Sequence, residues 1–212
     1  MSRLHLVLTN VLSLVLLFGV STSYADTADF EGLDPLIIPS TPFDSGGLTF
    51  TSEFAENTIV PPGAGVASDN GTQTFAWCGS GCGGTQLVTV EAIDGGVFNL
   101  DSLDAGNLAP AGTPLGFVPG MTLEVVGHQV GGQTIQQSLV IQENTFTTFD
   151  LIGFNSLEFF ELFAPEVTDS TTGAVLGNPD PLIDNINFTP VPEPGACFAL
   201  VIASVMFVRR RR

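Results

Sequence analysis

The chain has 212 residues, of which 22 are Asp or Glu and five are Lys or Arg, so its formal net charge is −17 at pH 7. A surface this acidic repels nucleic acid and anionic lipid, which excludes nucleic acid as a partner. No Lys or Arg lies between Asp26 and Val208, so the body also lacks the cations that phosphoryl-transfer sites use.

An apolar run at residues 6–20 follows Arg3 and His5. Ser23 and Ala25 are small residues at the −3 and −1 positions of a cleavage site. A basic start, an apolar core and small residues before the cut are typical of a secretory signal peptide. A retained anchoring helix is the alternative, although the run is shorter than a membrane span. We predict a signal peptide over residues 1–25, removed by signal peptidase, and a mature chain beginning at Asp26.

Short apolar runs of strand length follow, several of them alternating with period two, and no helical periodicity accompanies them. Strands are predicted at residues 47–52, 86–91, 123–130, 133–142, 146–152, 157–163 and 183–188. Long loops are predicted at residues 57–74, 105–120 and 164–181, which contain prolines and glycines. Many short antiparallel strands separated by turns predict an all-β fold, an antiparallel β-sandwich, over residues 26–190.

Two Gly-Gly pairs, Gly95-Gly96 and Gly131-Gly132, each separate two predicted strands. Such a pair indicates a hairpin, because a type I′ turn needs two positive φ angles. Six phenylalanines are predicted to lie in the core, since a Phe stripe is more often packing than a binding platform. They are Phe30, Phe50, Phe98, Phe149, Phe159 and Phe188.

Cys78 and Cys82 are separated by three small residues and are predicted to form a disulfide, as nearby cysteines of exported proteins usually do. A zinc site is disfavoured, because zinc takes about four ligands and His128 is the only comparable residue left in the body. Trp77, the only tryptophan, has two interpretations: a residue that stacks on a sugar ring, or a core residue packed against the disulfide.

His128 is the only histidine of the body, so a Ser–His–Asp arrangement could be built only around it. No Gly-x-Ser-x-Gly motif accompanies it, and we interpret His128 as an ordinary strand residue. Glycosidase chemistry with two carboxylates stays open as an alternative, because acids are plentiful. No catalytic residue is assigned, and the protein is predicted not to be an enzyme.

The C-terminus combines a Pro-Glu-Pro motif, an apolar segment at residues 195–208 and a basic end. The basic end would stay in the cytoplasm by the positive-inside rule. The residues are Val191, Pro192, Glu193 and Pro194, then Arg209, Arg210, Arg211 and Arg212. This order over residues 191–212 resembles the PEP-CTERM sorting domain. The resemblance implies a membrane-anchored form that exosortase processes at the surface of a bacterium that makes extracellular polysaccharide.

The body also resembles the jelly-roll ectodomains common in PEP-CTERM proteins, which are similar to galactose-binding-like and carbohydrate-binding-module sandwiches. The resemblance rests on the opening residues 29–32, the strand at 95–100 and the closing residues 184–188. It implies a fold and an environment rather than a ligand.

A calcium site is a further hypothesis for the two ends of the body. In a jelly roll the first and last strands are often neighbours, and calcium takes 6–8 oxygen ligands. The oxygen groups that would converge belong to Asp29, Glu31, Asp184 and Asn185. The alternative is a surface of dispersed acids suited to a saline medium.

These observations together predict an exported cell-surface or extracellular-matrix protein with a non-catalytic structural or adhesive role in a polysaccharide-rich envelope. A carbohydrate-binding module is the first alternative. A secreted glycoside hydrolase is the second, and the scarcity of His, Lys, Arg, Tyr and Trp in the body disfavours it.

Overall fold

A computed structural model of the chain describes residues 24–35, 37–38, 42–52, 57–77, 87–109, 117–177 and 180–192. The chain divides into a compact unit, Ala25–Pro190, and a second unit made of Met1–Tyr24 and Val191–Arg212. The second unit lies almost wholly outside the described residues, as do Cys78 and Cys82. Predictions for the signal peptide, the disulfide and the Arg tail therefore stay predictions. No helix among the described residues is long and apolar enough to cross a membrane.

The described part of the unit Ala25–Pro190 is built from β-strands without an α-helix. In chain order they are β1 (Asp26–Ala28), β2 (Ile37–Ile38), β3 (Phe43–Ser45), β4 (Leu48–Ser52), β5 (Asn57–Val60), β6 (Thr74–Trp77), β7 (Val88–Ala92), β8 (Phe98–Asn107), β9 (Thr122–Gln129), β10 (Thr134–Val140), β11 (Thr147–Asp150), β12 (Leu157–Phe163), β13 (Val167–Thr168), β14 (Val175–Gly177) and β15 (Pro181–Pro190).

Thirteen of the described strands form one continuous antiparallel sheet that narrows to a single residue pair between β8 and β12, and we call the parts on either side of that pair the first and the second sheet. The first sheet runs β2-β5-β6-β15-β8, with β1 also paired to β15 and β11 to β8. The second runs β10-β9-β12-β7-β4-β3. They are joined where Leu157 of β12 pairs with Phe98 of β8. The result is the predicted antiparallel β-sandwich, with β13 and β14 forming a separate two-stranded hairpin.

One apolar cluster, contributed by residues 28–188, fills the space between the sheets. Phe30, Phe50, Phe98 and Phe188 are at most 2% exposed, which confirms them as core residues. Phe149 is half-buried against the same cluster. Because the core is enclosed within its own residues, the unit Ala25–Pro190 has what a domain needs to fold alone.

The two Gly-Gly pairs have different outcomes. Gly131 and Gly132 have φ angles of 96° and 82° and join β9 to β10, which pair along their length, so this hairpin is confirmed. The hairpin prediction for Gly95-Gly96 is wrong, because β7 and β8 are not partners. This turn, closed by a bond from Gly95 N–H to the Ala92 carbonyl (2.9 Å), carries the chain from the second sheet to the first.

Two of the predicted loops contain whole strands, and the third, 105–120, begins with the last three residues of β8. The segment 57–74 begins with β5 and reaches the start of β6, and these two strands pair with each other. The segment 164–181 contains the β13–β14 hairpin. Pro and Gly in these segments mark the turns between short strands, so composition alone overstated the length of the loops.

A β-bulge in β12 corrects the prediction that Phe159 lies in the core. The register shifts between Leu157, which pairs with Gln129, and Phe159, which pairs with His128, so Glu158 is an extra residue. Leu157 and Phe160 are both buried at 0% exposure, and Phe159 between them is only half-buried. A bulge of one residue reverses the side-chain phase of a strand. Phe159 therefore lies on the outer face of the second sheet.

Candidate functional site

The outer face of the second sheet carries aligned rows of polar and aromatic side chains, and we call it the polar face. Residues directly opposite on antiparallel strands project to the same side of a sheet, so the register defines these rows. The first row is Asp44, Thr49, Glu91, Phe159, His128 and Thr134. The second is Thr51, Thr89, Glu161, Val126 and Gln136. The third is Phe163, Glu124 and Ser138.

A ring pair lies at the centre of the polar face. The rings of His128 and Phe159 are stacked, with centroids 4.1 Å apart and planes inclined by 13°. His128 Nε2 lies 2.9 Å from Glu161 Oε2, and these two side chains are 27% and 24% exposed. The ring pair is thus held by a neighbouring carboxylate and remains within reach of a ligand from solvent.

Glu124 is the most buried member of the face, at 8% exposure. Its Oε1 and Oε2 accept hydrogen bonds from Ser138 Oγ at 2.7 and 2.6 Å, and Oε2 also accepts one from Gln136 Nε2 at 3.0 Å. Ser138 and Gln136 are exposed, so this polar group consists of a buried carboxylate bonded to two side chains that contact solvent. Such bonds to an ionised acceptor are stronger than neutral ones and fix the geometry of the group.

The face has one sign of charge. It carries the carboxylates Asp44, Glu91, Glu124 and Glu161, and the sequence places no Lys or Arg between residues 26 and 208. Threonine hydroxyls fill the positions between them, and Thr49 Oγ1 donates to Asp44 Oδ1 at 2.7 Å. The arrangement offers many hydrogen-bond acceptors and hydroxyl groups, which suits ligands rich in hydroxyl or ammonium donors.

A second polar group lies on the outer face of the first sheet, around Asp184 of β15. Asp184 is 0% exposed, and its Oδ2 accepts hydrogen bonds from Asn70 Nδ2 at 2.7 Å and Thr72 Oγ1 at 2.6 Å. Asp184 lies directly opposite Asp104 of β8, whose Oδ2 accepts a bond from Asn185 Nδ2. Burial raises the pKa of Asp184, the hydrogen bonds oppose that rise, and the Asp104 charge adds to it.

The four oxygen-bearing residues predicted to hold calcium do not form one site. The expected adjacency of the first and last strands holds, because β1 pairs with β15. Asp29 Oδ1, however, accepts from the Glu31 backbone N–H at 3.2 Å, and Glu31 Oε1 accepts from the Gln73 N–H at 2.9 Å. Within the described ranges, no three His, Cys, Asp or Glu side chains are grouped closely enough to hold a metal ion. The loop carrying Asn70, Thr72 and Gln73 supplies the donors instead.

Trp77 ends β6 inside the core. It is 1% exposed, and its ring stacks on Phe75 at 5.6 Å with the planes inclined by 23°. Of the two interpretations given to Trp77, a position in the core is confirmed, and its ring offers no face for a ligand to stack on. Packing against a Cys78–Cys82 disulfide stays a prediction, because both cysteines lie outside the described residues. The aromatic residues of the polar face are Phe159, Phe163 and His128 instead.

Comparison with known proteins supports the fold. A DUF4465 family protein from Bacteroides caccae matches with a TM-score of 0.51 and 13% identity over 79% of this chain and 100% of that one. A second, from Bacteroides ovatus, gives a TM-score of 0.43 and 7% identity over 80% and 100%. The CBM22-2 xylan-binding domain of Paenibacillus barcinonensis Xyn10C gives 0.38 and 14% over 78% and 98%. The first similarity shows a shared fold. No family model and no curated protein matches the chain.

Proposed function

We propose that the unit Ala25–Pro190 binds polysaccharide along the polar face, in a protein exported to the cell surface. The observation that carries this proposal is the alignment of ring, carboxylate, amide and hydroxyl groups in rows across six strands. Neighbouring strands lie about 4.8 Å apart, so five spacings give a face of about 24 Å, enough for several sugar units in line.

Sugars present hydroxyl groups around a ring and apolar C–H patches on its faces. Carboxylates such as Glu161 and Glu124 accept hydrogen bonds from hydroxyls strongly, because the acceptor is charged. Half-buried rings such as Phe159 and Phe163 supply the apolar area that the C–H patches cover. The polar face supplies both hydrogen-bond acceptors and apolar rings. The core of a protein–protein interface is depleted in charged residues, so the carboxylates of this face fit a sugar better than a protein partner.

The charge of the face defines which polysaccharides it accepts. Its carboxylates have no Lys or Arg to offset them, so a polymer of uronic acids would be repelled. Neutral polysaccharides, or those bearing amines, meet no such repulsion. This distinction gives the first test: electrophoresis of the unit Ala25–Pro190 in gels containing neutral, amine-bearing or uronate polysaccharide. We expect retardation in neutral or amine-bearing gels, and retardation by uronates alone would contradict the proposal.

A glycoside hydrolase would need two carboxylates flanking the scissile bond. Glu161 pairs with Val126, so Glu124 occupies the diagonal position two residues away on β9. Glu124 is held by Ser138 and Gln136, and Glu161 by His128, which fixes both carboxylates as acceptors; each has about four acceptor sites, so both can still accept from a ligand hydroxyl. Binding without cleavage therefore fits the face better. Release of oligosaccharides from a retained polymer would instead identify the hydrolase.

Export and sorting complete the proposal. The small residues Ser23 and Ala25, and the ordered Pro-Glu-Pro, apolar and Arg segments over residues 191–212, support a signal peptide and an exosortase-sorted tail. The intact mass of the protein recovered from its host tests this directly. We expect a chain beginning at Asp26 and cut near Pro194. A mass matching Met1–Arg212 on surface material would refute both processing steps.

A further inference from the structure

We propose that the free edge of the second sheet is a self-association surface, at which β10 pairs antiparallel with β10 of a second copy of this chain. Among the described strands, β10 pairs with β9 alone. The proposal stands on the geometry of this edge and does not require that the polar face bind sugar.

The other edge strands are protected in ways that β10 is not. Proteins guard exposed edges with short strands, charged residues, prolines or bulges. β2 has two residues, β3 has three with an exposed Asp44 in the middle, and β11 has four and ends in an exposed Asp150. β10 has seven residues, and none of them is Pro, Asp, Glu, Lys or Arg. Its pairing with β9 runs without a register shift.

The hydrogen-bond phase shows which backbone groups of β10 point away from β9 and have no backbone partner among the described residues. Gln129 N–H donates to the Gln133 carbonyl at 2.8 Å, and Ile141 N–H donates to the Met121 carbonyl at 3.0 Å. In an antiparallel ladder such pairs recur at every second residue, so the odd-numbered residues of β10 bond to β9. The N–H and C=O groups of Thr134, Gln136, Ser138 and Val140 therefore face away from β9, and all four residues are exposed.

Exposed apolar side chains are spread along the same edge, from the β9–β10 turn to the end of β10. Val140 is 60% exposed and Val130 at the β9–β10 turn is 53% exposed. Ile152, at 82% exposure, lies beside the strand, because its N–H points to Gln137 Oε1 and Gln137 Nε2 donates to the Asp150 carbonyl. An edge with free backbone groups and exposed aliphatic side chains is a template for a further strand.

A second copy can dock at this edge because the edge lacks the acids that repel two copies over the rest of their surfaces. Two bodies without Lys or Arg repel each other over most of their surfaces, so they can approach closely only where acids are absent, and residues 125–142 contain none. A two-fold axis at Gln137 pairs Gln136 with Ser138 and Thr134 with Val140, so every outward N–H meets an outward carbonyl. Such an isologous contact closes after two copies.

The test is the mass of the unit Ala25–Pro190 in solution, by light scattering or sedimentation, over a range of protein and salt concentrations. We expect a dimer whose Kd falls about tenfold between ~0.05 and ~0.5 M NaCl, because screening weakens the repulsion of the two acidic bodies. A monomer at every concentration and salt would overturn the proposal.

Gln136→Pro and Gln136→Ala form a matched pair of variants. Both lose the side-chain bond to Glu124, but only proline removes the outward N–H, and proline is tolerated at an edge where the ladder to the neighbouring strand is kept. We expect Gln136→Ala to dimerise like the parent, and Gln136→Pro to raise Kd at least about tenfold because both copies lose a donor. Equal dimerisation of the two variants would overturn the proposed pairing.

Amide hydrogen exchange of the parent keeps the proposal testable even if the proline variant does not fold. At concentrations where the dimer forms, the amides of Thr134, Gln136, Ser138 and Val140 should become protected. Those of Ile135, Gln137 and Leu139 should be protected at every concentration. A dimer whose even-numbered β10 amides still exchange rapidly would show that the copies meet elsewhere.

Discussion

His128 and Phe159 lie directly opposite each other on β9 and β12, and their rings stack with centroids 4.1 Å apart. This contact exists because Glu158 is an extra residue in β12, which turns Phe159 away from the core. The same shift sets Glu161 beside His128 and Phe163 opposite Glu124. One bulge thus aligns the β12 side chains with the rows of the polar face.

Deleting Glu158 should leave the sheet intact. Without it, Leu157, Phe159 and Phe160 alternate between core and outer face as a regular strand does, so Phe159 to Phe163 keep their partners. Deleting Glu161 as the control would send Leu162 outward and Phe163 into the core. We expect the variant without Glu158 to unfold in a cooperative thermal transition. The variant without Glu161 should have no such transition or a strongly lowered melting temperature. The opposite order of melting temperatures would refute the assigned bulge.

The fold class could be predicted from apolar runs of strand length and from glycines at turns. The hairpin at Gly131-Gly132 could be predicted too, because two adjacent glycines allow the positive φ angles of its turn. The polar face was missed for a physical reason. Phe159 lies in the pattern Leu-Glu-Phe-Phe-Glu-Leu-Phe, in which either set of alternate side chains could face the core. Only the pairing with β9 shows where the bulge lies, and therefore which side chains face outward. Partners such as Glu161 and His128 are 33 residues apart in the chain, so no local pattern joins them.

The buried hydroxyl of Thr74 offers a stabilising substitution. Thr74 is 2% exposed, and its Oγ1 has no hydrogen-bond partner within the described part of the chain. Thr74→Val keeps the shape and removes the unsatisfied group, so we expect the free energy of unfolding to rise by about 1 kcal/mol.

Ser68 is the control for Thr74. It is 1% exposed, but its Oγ donates to Asn107 Oδ1 at 2.9 Å and accepts from the Asn107 N–H at 3.1 Å. Ser68→Ala should therefore lower the free energy of unfolding by about 1–3 kcal/mol in the same denaturation experiment. A loss of stability for Thr74→Val as large as that for Ser68→Ala would mean that the Thr74 hydroxyl is satisfied.

Asp184 should make stability depend on pH in a defined direction. Its pKa in the folded state is raised above the ordinary value of 3.8, chiefly by burial, so the folded state binds this proton more readily than the unfolded state does. The stabilisation is complete below the unfolded value and is lost as pH rises through the folded pKa. Relative to Asp184→Asn, the parent should gain stability as pH falls from 7 toward 4. If the free energy of unfolding of the parent, relative to that of Asp184→Asn, stays constant or rises as pH increases from 4 to 7, the raised pKa of Asp184 is contradicted.

Asn70→Asp places a second carboxylate where an amide now donates to Asp184 Oδ2 at 2.7 Å. Losing a hydrogen bond to a charged group costs about 1.5–3 kcal/mol, and repulsion adds to that cost at neutral pH. The same change at the exposed Asn155 should have little effect. The double variant Asn70→Asp/Asp184→Asn restores one donor and one acceptor, so we expect it to recover much of the lost stability. If unfolding experiments show purely additive losses, the two side chains are not coupled.

Binding of polysaccharide by variants of the polar face tests the central claim most directly. The affinity of the unit Ala25–Pro190 for a retarding polysaccharide should be measured for Phe159→Ala, Glu161→Gln and the control Glu143→Gln, which makes the same change at an exposed turn outside the face. We predict that both face variants weaken binding about tenfold or more while their melting transitions stay cooperative, and that Glu143→Gln binds like the parent. Unchanged affinity in the two face variants, or equal loss in the control, would contradict the claim.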